Sequence, residues 1–167
     1  MNLRDELAKA IEGKVVVMGI GNPCRGDDAA GSRVTRRIGG APGVQVIDAE
    51  NVPENYLRQI VRHRPDTVVL IDAVDLASAP GSVALLGQDQ MTDYWPSTHR
   101  LPISLLIDYL VAETRAHIFL IAIQPRHTAF LESMSAEVAA SVEDIAGVLN
   151  EVLETRKPHA APDARAA

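Results

Sequence analysis

The sequence predicts an α/β protein: a three-layer α/β/α sandwich with a mainly parallel, twisted sheet of about five strands. Two observations lead to this fold class. Short apolar runs rich in β-branched residues recur along the chain, as expected for strands buried on both faces. Amphipathic stretches with helical spacing separate these runs. Strands that alternate with helices favour a parallel sheet between two layers of helices.

Five segments are predicted to form the sheet, and four stretches are predicted to form helices. The parallel strands are assigned to residues 15–18, 44–47, 68–71 and 118–123, and an additional strand to residues 82–86, after a Pro-Gly turn. The helical stretches show apolar residues at spacings of three and four, with Pro53 and Pro102 at first-turn positions. Their apolar positions are Ala30, Val34 and Ile38; Leu57, Ile60 and Val61; Ile103, Leu106, Ile107 and Leu110; and Val138, Val142, Ile145, Leu149, Val152 and Leu153.

The chain of 167 residues is long enough for one domain with a substantial core. Residues 1–13 are charged and helix-like, and we expect an N-terminal helical extension that either packs as an additional helix or is exposed. Residues 14–155 form the main α/β domain. Residues 156–167 are rich in Ala and Pro and form a tail that we expect to be disordered.

Composition excludes several classes of function. The net charge of −6 argues against nucleic acid or an anionic membrane as a general partner. The single cysteine, Cys24, excludes an internal disulfide and a metal site built from cysteines alone, which fits a reducing cytoplasm. No apolar run approaches the roughly 18 residues that span a bilayer, and the charged N-terminus is not a secretory signal. We therefore expect a cytoplasmic protein.

The most informative stretch joins the first strand to the first helix of the main domain. Gly19 and Gly21 begin a G-x-G-x-x-G pattern, but Cys24 occupies the third glycine position. Two adjacent carboxylates, Asp27 and Asp28, then enter the start of the helix. A glycine-rich turn before a helix is typical of a phosphate site, but two aspartates would repel phosphate and attract a cation. The stretch therefore predicts an acidic corner suited to a metal ion or a cationic group.

Polar side chains follow each of the predicted parallel strands. In open α/β sheets, ligands bind at the carboxyl ends of the strands. Two carboxylates and one imidazole from separate loops would suit a first-row divalent ion. The candidates at this edge are Asn22, Asp27, Asp28, Asp48, Glu50, Asn51, Asp72, Asp75, Gln124 and His127, with His99 in the loop 96–100 before the third helix.

Each candidate also has an ordinary structural explanation. A single aspartate such as Asp72 is more often a helix cap or turn former than a ligand, and His99 is equally explained as a surface histidine. Asp48 lies about 20 residues after the glycine turn, as does the ribose-binding acid of a dinucleotide fold, so a nucleotide-binding domain stays open as an alternative. Cys24 is discounted as a nucleophile because a lone cysteine is more often a small buried hydrophobe.

Four segments in this order and spacing are similar to the nickel-iron hydrogenase maturation endopeptidases, in particular to their formate-hydrogenlyase branch. The resemblance covers about residues 14–153. The segments are Gly19-Ile-Gly-Asn-Pro-Cys-Arg-Gly-Asp-Asp-Ala-Ala-Gly31; Asn51-Val-Pro-Glu-Asn55; Leu70-Ile-Asp-Ala-Val-Asp75; and Ser97-Thr-His-Arg-Leu-Pro-Ile-Ser-Leu-Leu-Ile-Asp108 with Phe119-Leu-Ile-Ala-Ile-Gln-Pro125.

The resemblance implies a peptidase of the aspartic or metal-dependent type. Such proteins remove a short C-terminal peptide from the hydrogenase large-subunit precursor after nickel insertion. The matched metal-binding and catalytic residues are Asp28, Asp72 and His99, and the nickel is supplied by the substrate, although other divalent ions can occupy the site. We expect a monomer that binds neither nucleic acid nor membrane. The family's common Asp-Asp-Gly-x-Gly corner contains Ala29 and Ala30 here, and because alanine is compatible with helical geometry we expect the corner to form.

The implied reaction is peptide-bond hydrolysis directed by the nickel of the substrate. Either the metal polarises the carbonyl or lowers the pKa of a water, or a carboxylate acts as general base and nickel serves for positioning only. Two other functions stay open: a non-catalytic, nickel-dependent maturation chaperone that uses the same ligands, and the nucleotide-binding α/β domain.

Overall fold

The computed structural model describes residues 2–94 and 103–157. Within them, the strands are β1 (Val15–Ile20), β2 (Val44–Glu50), β3 (Thr67–Ala73), β4 (Val83–Gly87) and β5 (His117–Ile123). The α-helices are α1 (Leu3–Ala10), α2 (Ala30–Thr35), α3 (Leu57–His63), α4 (Gln88–Tyr94), α5 (Ile103–Thr114) and α6 (Ala136–Thr155). Two 3-10 helices, Gly26–Ala29 and Pro53–Tyr56, lead directly into α2 and α3. All five predicted strands are confirmed, as is the first-turn position of Pro53.

The five strands form one sheet in the order β2-β1-β3-β5-β4. Four of them are parallel, and β4 pairs antiparallel with β5 at the edge. Residues 74–82 connect β3 to β4 and are too few for the crossover that would make β4 parallel to β3. The chain therefore turns back, and β4 runs in the opposite direction. The mainly parallel sheet predicted from the sequence is confirmed.

Helices cover both faces of the sheet and complete the three-layer sandwich. One layer contains α1, α2 and α6, in which α6 contacts both α1 and α2, and the other contains α3, α4 and α5, in which α5 contacts both α3 and α4. The N-terminal extension packs as an additional helix: Leu7 of α1 is fully buried and Arg4 lies 3.1 Å from Glu151 of α6. In the part of the chain that the structure describes, no helix is long and apolar enough to cross a membrane.

Three details differ from the expectations. Helix α2, predicted to extend to Ile38, ends at Thr35, because the hydrogen bonds that follow it shift to the tighter three-residue spacing. Ile38 therefore packs on the core from a turn. Helix α4 was not predicted. The predicted tail begins too early: Arg156 donates to the Gly13 carbonyl, and the Lys157 carbonyl accepts from the Gly13 N–H. Pro102, His99 and residues 158–167 lie outside the described residues.

The strand order creates a switch point between β1 and β3. The chain leaves β1 for β2 on one side and later enters β3 on the other side of β1. The connections therefore diverge above the carboxyl ends of β1 and β3, and at such a point an open α/β sheet forms its ligand-binding crevice. The acidic corner follows β1 and Asp72 is near the end of β3.

Candidate functional site

The acidic corner is held against the ends of β1 and β3 by close backbone contacts. A Cβ atom added at Gly31 would lie only 2.1 Å from the Ile71 carbonyl oxygen and 2.3 Å from that of Ile20. Gly21 has φ +139°, and a Cβ there would lie 1.7 Å from the Asp28 carbonyl oxygen. Glycine is therefore required for backbone packing at both positions. The glycine pattern serves this packing, which explains why it departs from the dinucleotide-binding spacing.

Asp28 lies half-buried in the 3-10 helix Gly26–Ala29. Its Oδ2 accepts a hydrogen bond of 3.0 Å from the Asn22 N–H, and Asn22 Oδ1 in turn accepts one of 2.9 Å from the Cys24 N–H. Oδ1 of Asp28 accepts no hydrogen bond from residues 2–94 or 103–157. Among the described residues, the corner thus presents a half-buried carboxylate with Oδ2 fixed by the Asn22 N–H and Oδ1 without a hydrogen-bond donor. Ala29 has ordinary helical backbone angles, which confirms that the corner forms without glycine at that position.

Asp72 is the second acid at this edge and is only 7% exposed. Its Oδ1 accepts a hydrogen bond of 2.8 Å from the Ala73 N–H. The pairing of β1 with β3 ends one residue earlier, at Ile71, where the pairing of β1 with β2 also shifts register. Irregular pairing of this kind is frequent beside functional sites, where it re-aims side chains. The 3-10 helix that carries Asp28 contacts β3, which carries Asp72 near its end.

The structure therefore brings two of the three predicted ligands, Asp28 and Asp72, to one edge of the sheet. The third, His99, lies in residues 95–102, outside the described residues. Across residues 2–94 and 103–157, no three His, Cys, Asp or Glu side chains converge in a metal-binding arrangement. The O/O/N ligand set consequently stays a prediction, and both of its carboxylates follow strands at one edge of the sheet.

Asp27 has a structural role. Its carboxylate is fully buried and accepts four hydrogen bonds from the loop before α6: from the backbone N–H groups of Arg126, His127 and Ser135 and from the Ser135 hydroxyl, at 2.7–3.2 Å. Burial alone would raise the pKa of Asp27, but these hydrogen bonds outweigh it and hold the pKa below its ordinary value. Asp27 thus ties the corner to a segment about a hundred residues away, while its neighbour Asp28 remains available to a ligand.

Other candidate acids have partners or turn roles. Asp48 receives a hydrogen bond of 2.7 Å from Arg36, which argues against a role in binding a ribose. Asp75 is exposed, and its Oδ1 accepts from the Ala77 N–H as in an ordinary turn. His127 Nδ1 lies 2.8 Å from Glu132 Oε2, although the two groups are poorly aligned for a hydrogen bond.

The expectation that Cys24 is a small buried hydrophobe is wrong. The side chain is exposed, because the residue lies in the turn after β1 whose backbone is bound to Asn22 and Leu131. A turn at the open edge of the sheet offers no core into which a small side chain can pack.

Two polar residues organise the edge in ways that the sequence did not indicate. Gln124 is buried after β5, and its Oε1 accepts from the N–H groups of Leu76 and Ser78 at 2.6 and 3.3 Å, which holds the loop that follows Asp72. The second residue is Ser135. Its position before α6 is a typical helix N-cap signal, but its backbone N–H and its hydroxyl both donate to Asp27.

Comparisons with known proteins agree with the resemblance seen in the motifs. The family model described as hydrogenase maturation protease matches residues 30–152, which include Asp72 and His99 and begin two residues after Asp28. The chain is 32% identical to the hydrogenase 3 maturation protease of Escherichia coli over 78% of this chain and 85% of that protein.

Solved structures agree as well. A [NiFe] hydrogenase maturation protease from Thermococcus kodakarensis superimposes with a TM-score of 0.83 at 31% identity, over 89% of this chain and 98% of that one. The solution structure of an endopeptidase from Escherichia coli gives 0.75 at 28% identity, over 83% and 90%.

Proposed function

Because the chain belongs to the hydrogenase maturation protease family, a family of peptidases, we propose that it removes the C-terminal extension of a nickel-iron hydrogenase large-subunit precursor after nickel insertion. In this proposal the nickel belongs to the substrate and is the element that the protein recognises. We also propose that the protein acts in the cytoplasm, since its single exposed thiol suits a reducing compartment.

The observation that supports the proposal is that the corner carrying Asp28 and the end of β3 carrying Asp72 both lie at the carboxyl edge of the sheet, at the switch point between β1 and β3. The two acids come from segments far apart in the sequence, and the 3-10 helix that carries Asp28 contacts β3. Two carboxylates at one edge suit a cation and disfavour a phosphate. The nucleotide-binding alternative is further weakened because Arg36 binds Asp48.

The chemistry that we propose uses each acid in a definite way. Asp28, Asp72 and His99 complete the coordination of a nickel ion that substrate side chains already hold, which fixes the scissile peptide bond beside the site. Asn22 orients Asp28 through its backbone N–H, and Gln124 orients the loop after Asp72. Positioning of this kind lowers the barrier to hydrolysis because the reacting groups are already placed. Two mechanisms are compatible with this arrangement: the metal activates the carbonyl and the water, or a carboxylate acts as the general base. The cleavage kinetics of variants of these acids distinguish them.

The test is a processing assay with purified full-length protein and its large-subunit precursor, with and without nickel, in which the mass of the product is measured. We expect loss of a C-terminal peptide only from the nickel-loaded precursor. Asp28→Asn is expected to lower the rate by at least about 100-fold with little change in stability, because Asn keeps an oxygen for the Asn22 N–H.

Asp75→Asn is the matched control. Asp75 is an exposed acid at the same edge, and asparagine preserves its turn hydrogen bond, so we expect normal processing. Processing by Asp28→Asn at the wild-type rate would contradict the assignment. Nickel-dependent binding of the precursor by the wild-type protein without any change of mass would favour the chaperone alternative instead.

A further inference from the structure

The loop of residues 124–135, between β5 and α6, exposes two large apolar side chains. Phe130 is 63% exposed and Leu131 is 78% exposed, the two highest values among the large hydrophobic residues that the structure describes. The loop is longer than most connections in compact domains, and long loops without secondary structure of their own are frequently functional.

The backbone of Leu131 is strained. Its φ is +63°, in the left-handed region that glycine or asparagine adopts at little cost and that a bulky side chain adopts rarely. A glycine at this position would relieve the strain and remove an apolar side chain from water. The chain instead has leucine, so neither local geometry nor solvation explains the residue. Strain and solvent-exposed apolar surface at one position are typical of a contact made with a partner.

The loop is connected to the candidate site by consecutive hydrogen bonds. The Leu131 N–H donates to the Cys24 carbonyl at 2.8 Å, the Cys24 N–H to Asn22 Oδ1 at 2.9 Å, and the Asn22 N–H to Asp28 Oδ2 at 3.0 Å.

Asp27 ties the two ends of the same loop to the corner. It accepts hydrogen bonds from Arg126 and His127 on one side and from Ser135 on the other. The loop that carries the apolar pair and the Asp28 carboxylate are therefore parts of one hydrogen-bonded unit.

We propose that Phe130 and Leu131 form the apolar contact that binds the C-terminal region of the hydrogenase large-subunit precursor, through an apolar segment next to its cleavage position. This inference rests on the proposed function and adds the specificity that the acids lack. Asp28 and Asp72 attract a cation, but carboxylates provide no favourable contact for apolar peptide side chains. An apolar pair continuous with the acidic corner provides that contact and excludes water around it.

The test uses Leu131→Gly, which removes the side chain and relieves the positive φ. Tyr109→Ser is the matched control, since Tyr109 is also an exposed apolar residue, on α5 in the other helix layer. For each full-length protein, the dissociation constant for the nickel-loaded precursor, the kinetics of cleavage and the melting temperature are measured. We expect Leu131→Gly to raise Kd and KM about ten-fold with kcat unchanged and without lowering the melting temperature. Tyr109→Ser is expected to bind as the wild type does.

Each other outcome has a definite meaning. An unchanged Kd for Leu131→Gly overturns the inference and leaves the proposed function intact. Binding by the wild type without cleavage refutes the proposed function, and the Kd comparison still decides the inference. No binding of the precursor by the wild type overturns both. A wild-type dimer that Leu131→Gly converts to a monomer, measured by light scattering, identifies a second copy of this chain as the occupant and overturns the inference.

Discussion

Replacing Asp27 by asparagine tests the interpretation that this acid holds the corner together. The carboxylate accepts three hydrogen bonds at Oδ2 and one at Oδ1. Asparagine retains a single oxygen. In the better orientation of the asparagine side chain, this oxygen keeps the three hydrogen bonds of Oδ2 but carries no charge, and the amide N–H₂ takes the place of Oδ1 opposite the Ser135 N–H. The Ser135 N–H and the new amide N–H₂ then face each other without an acceptor, and three hydrogen bonds lose their charge assistance, so we expect a loss of about 3 kcal/mol in the free energy of unfolding.

The loss depends on pH in a predictable direction. The pKa of Asp27 in the folded protein lies below its ordinary value of 3.8. A depressed folded-state pKa contributes stability that is fully present above the unfolded-state value and is lost as pH falls through the folded-state value. The difference in stability between the wild type and Asp27→Asn is therefore expected to be constant from about pH 5 to pH 8 and to shrink below about pH 4.

The measurement is urea unfolding of both proteins between pH 3 and pH 8. At neutral pH the expected loss corresponds to a fall in melting temperature of about 6–12 °C for a chain of this size. Ser135→Ala is the matched control, because it removes only the hydroxyl donor and is expected to cost about 1 kcal/mol. Stability of Asp27→Asn within about 0.5 kcal/mol of the wild type at pH 7 would refute the reasoning, and a loss that persists undiminished at pH 3 would show that the charge is not its cause.

Two further predictions concern the backbone of the site. Gly31→Ala forces a Cβ against the Ile71 carbonyl and is expected to lower the free energy of unfolding by about 3 kcal/mol or more, measured by thermal unfolding. The control, Gly147→Ala on an open face of α6, should instead raise it by about 0.5–1 kcal/mol. Equal effects at the two positions would contradict the packing argument. Gln124→Ala is expected to cost about 2 kcal/mol and to speed amide hydrogen exchange in the loop after Asp72; unchanged exchange there would mean that Gln124 does not hold the loop.

The strands were predictable because parallel strands buried on both faces are continuous apolar runs. Every residue of β1 is buried, and so is every residue of β5 after its first. Helix α4 was not predictable in the same way. Its sequence, Gln-Asp-Gln-Met-Thr-Asp-Tyr, has no amphipathic periodicity, although Met91 enters the core. Where the apolar pattern is absent, tertiary packing decides the local structure.

The location of Asp28 and Asp72 at one edge of the sheet was predictable for a related reason. The carboxyl ends of parallel strands lie at one edge, so acids that follow β1 and β3 in the sequence meet there in space. The partners of Asp27 were not predictable, because the residues that donate to it lie about a hundred positions further along the chain. No local pattern records a contact across that separation.

The sequence by itself determined the alternation of strands and helices, the acidic corner and the strand ends that gather there, because periodicity and topology are properties of the chain order. Only the tertiary structure decided which of two adjacent aspartates is buried. In a 3-10 helix of three residues per turn, neighbouring side chains point in different directions, and the loop before α6 covers Asp27 while leaving Asp28 available. The same loop decided that Leu131 is exposed, because the Leu131 N–H donates to the Cys24 carbonyl and leaves the side chain in solvent.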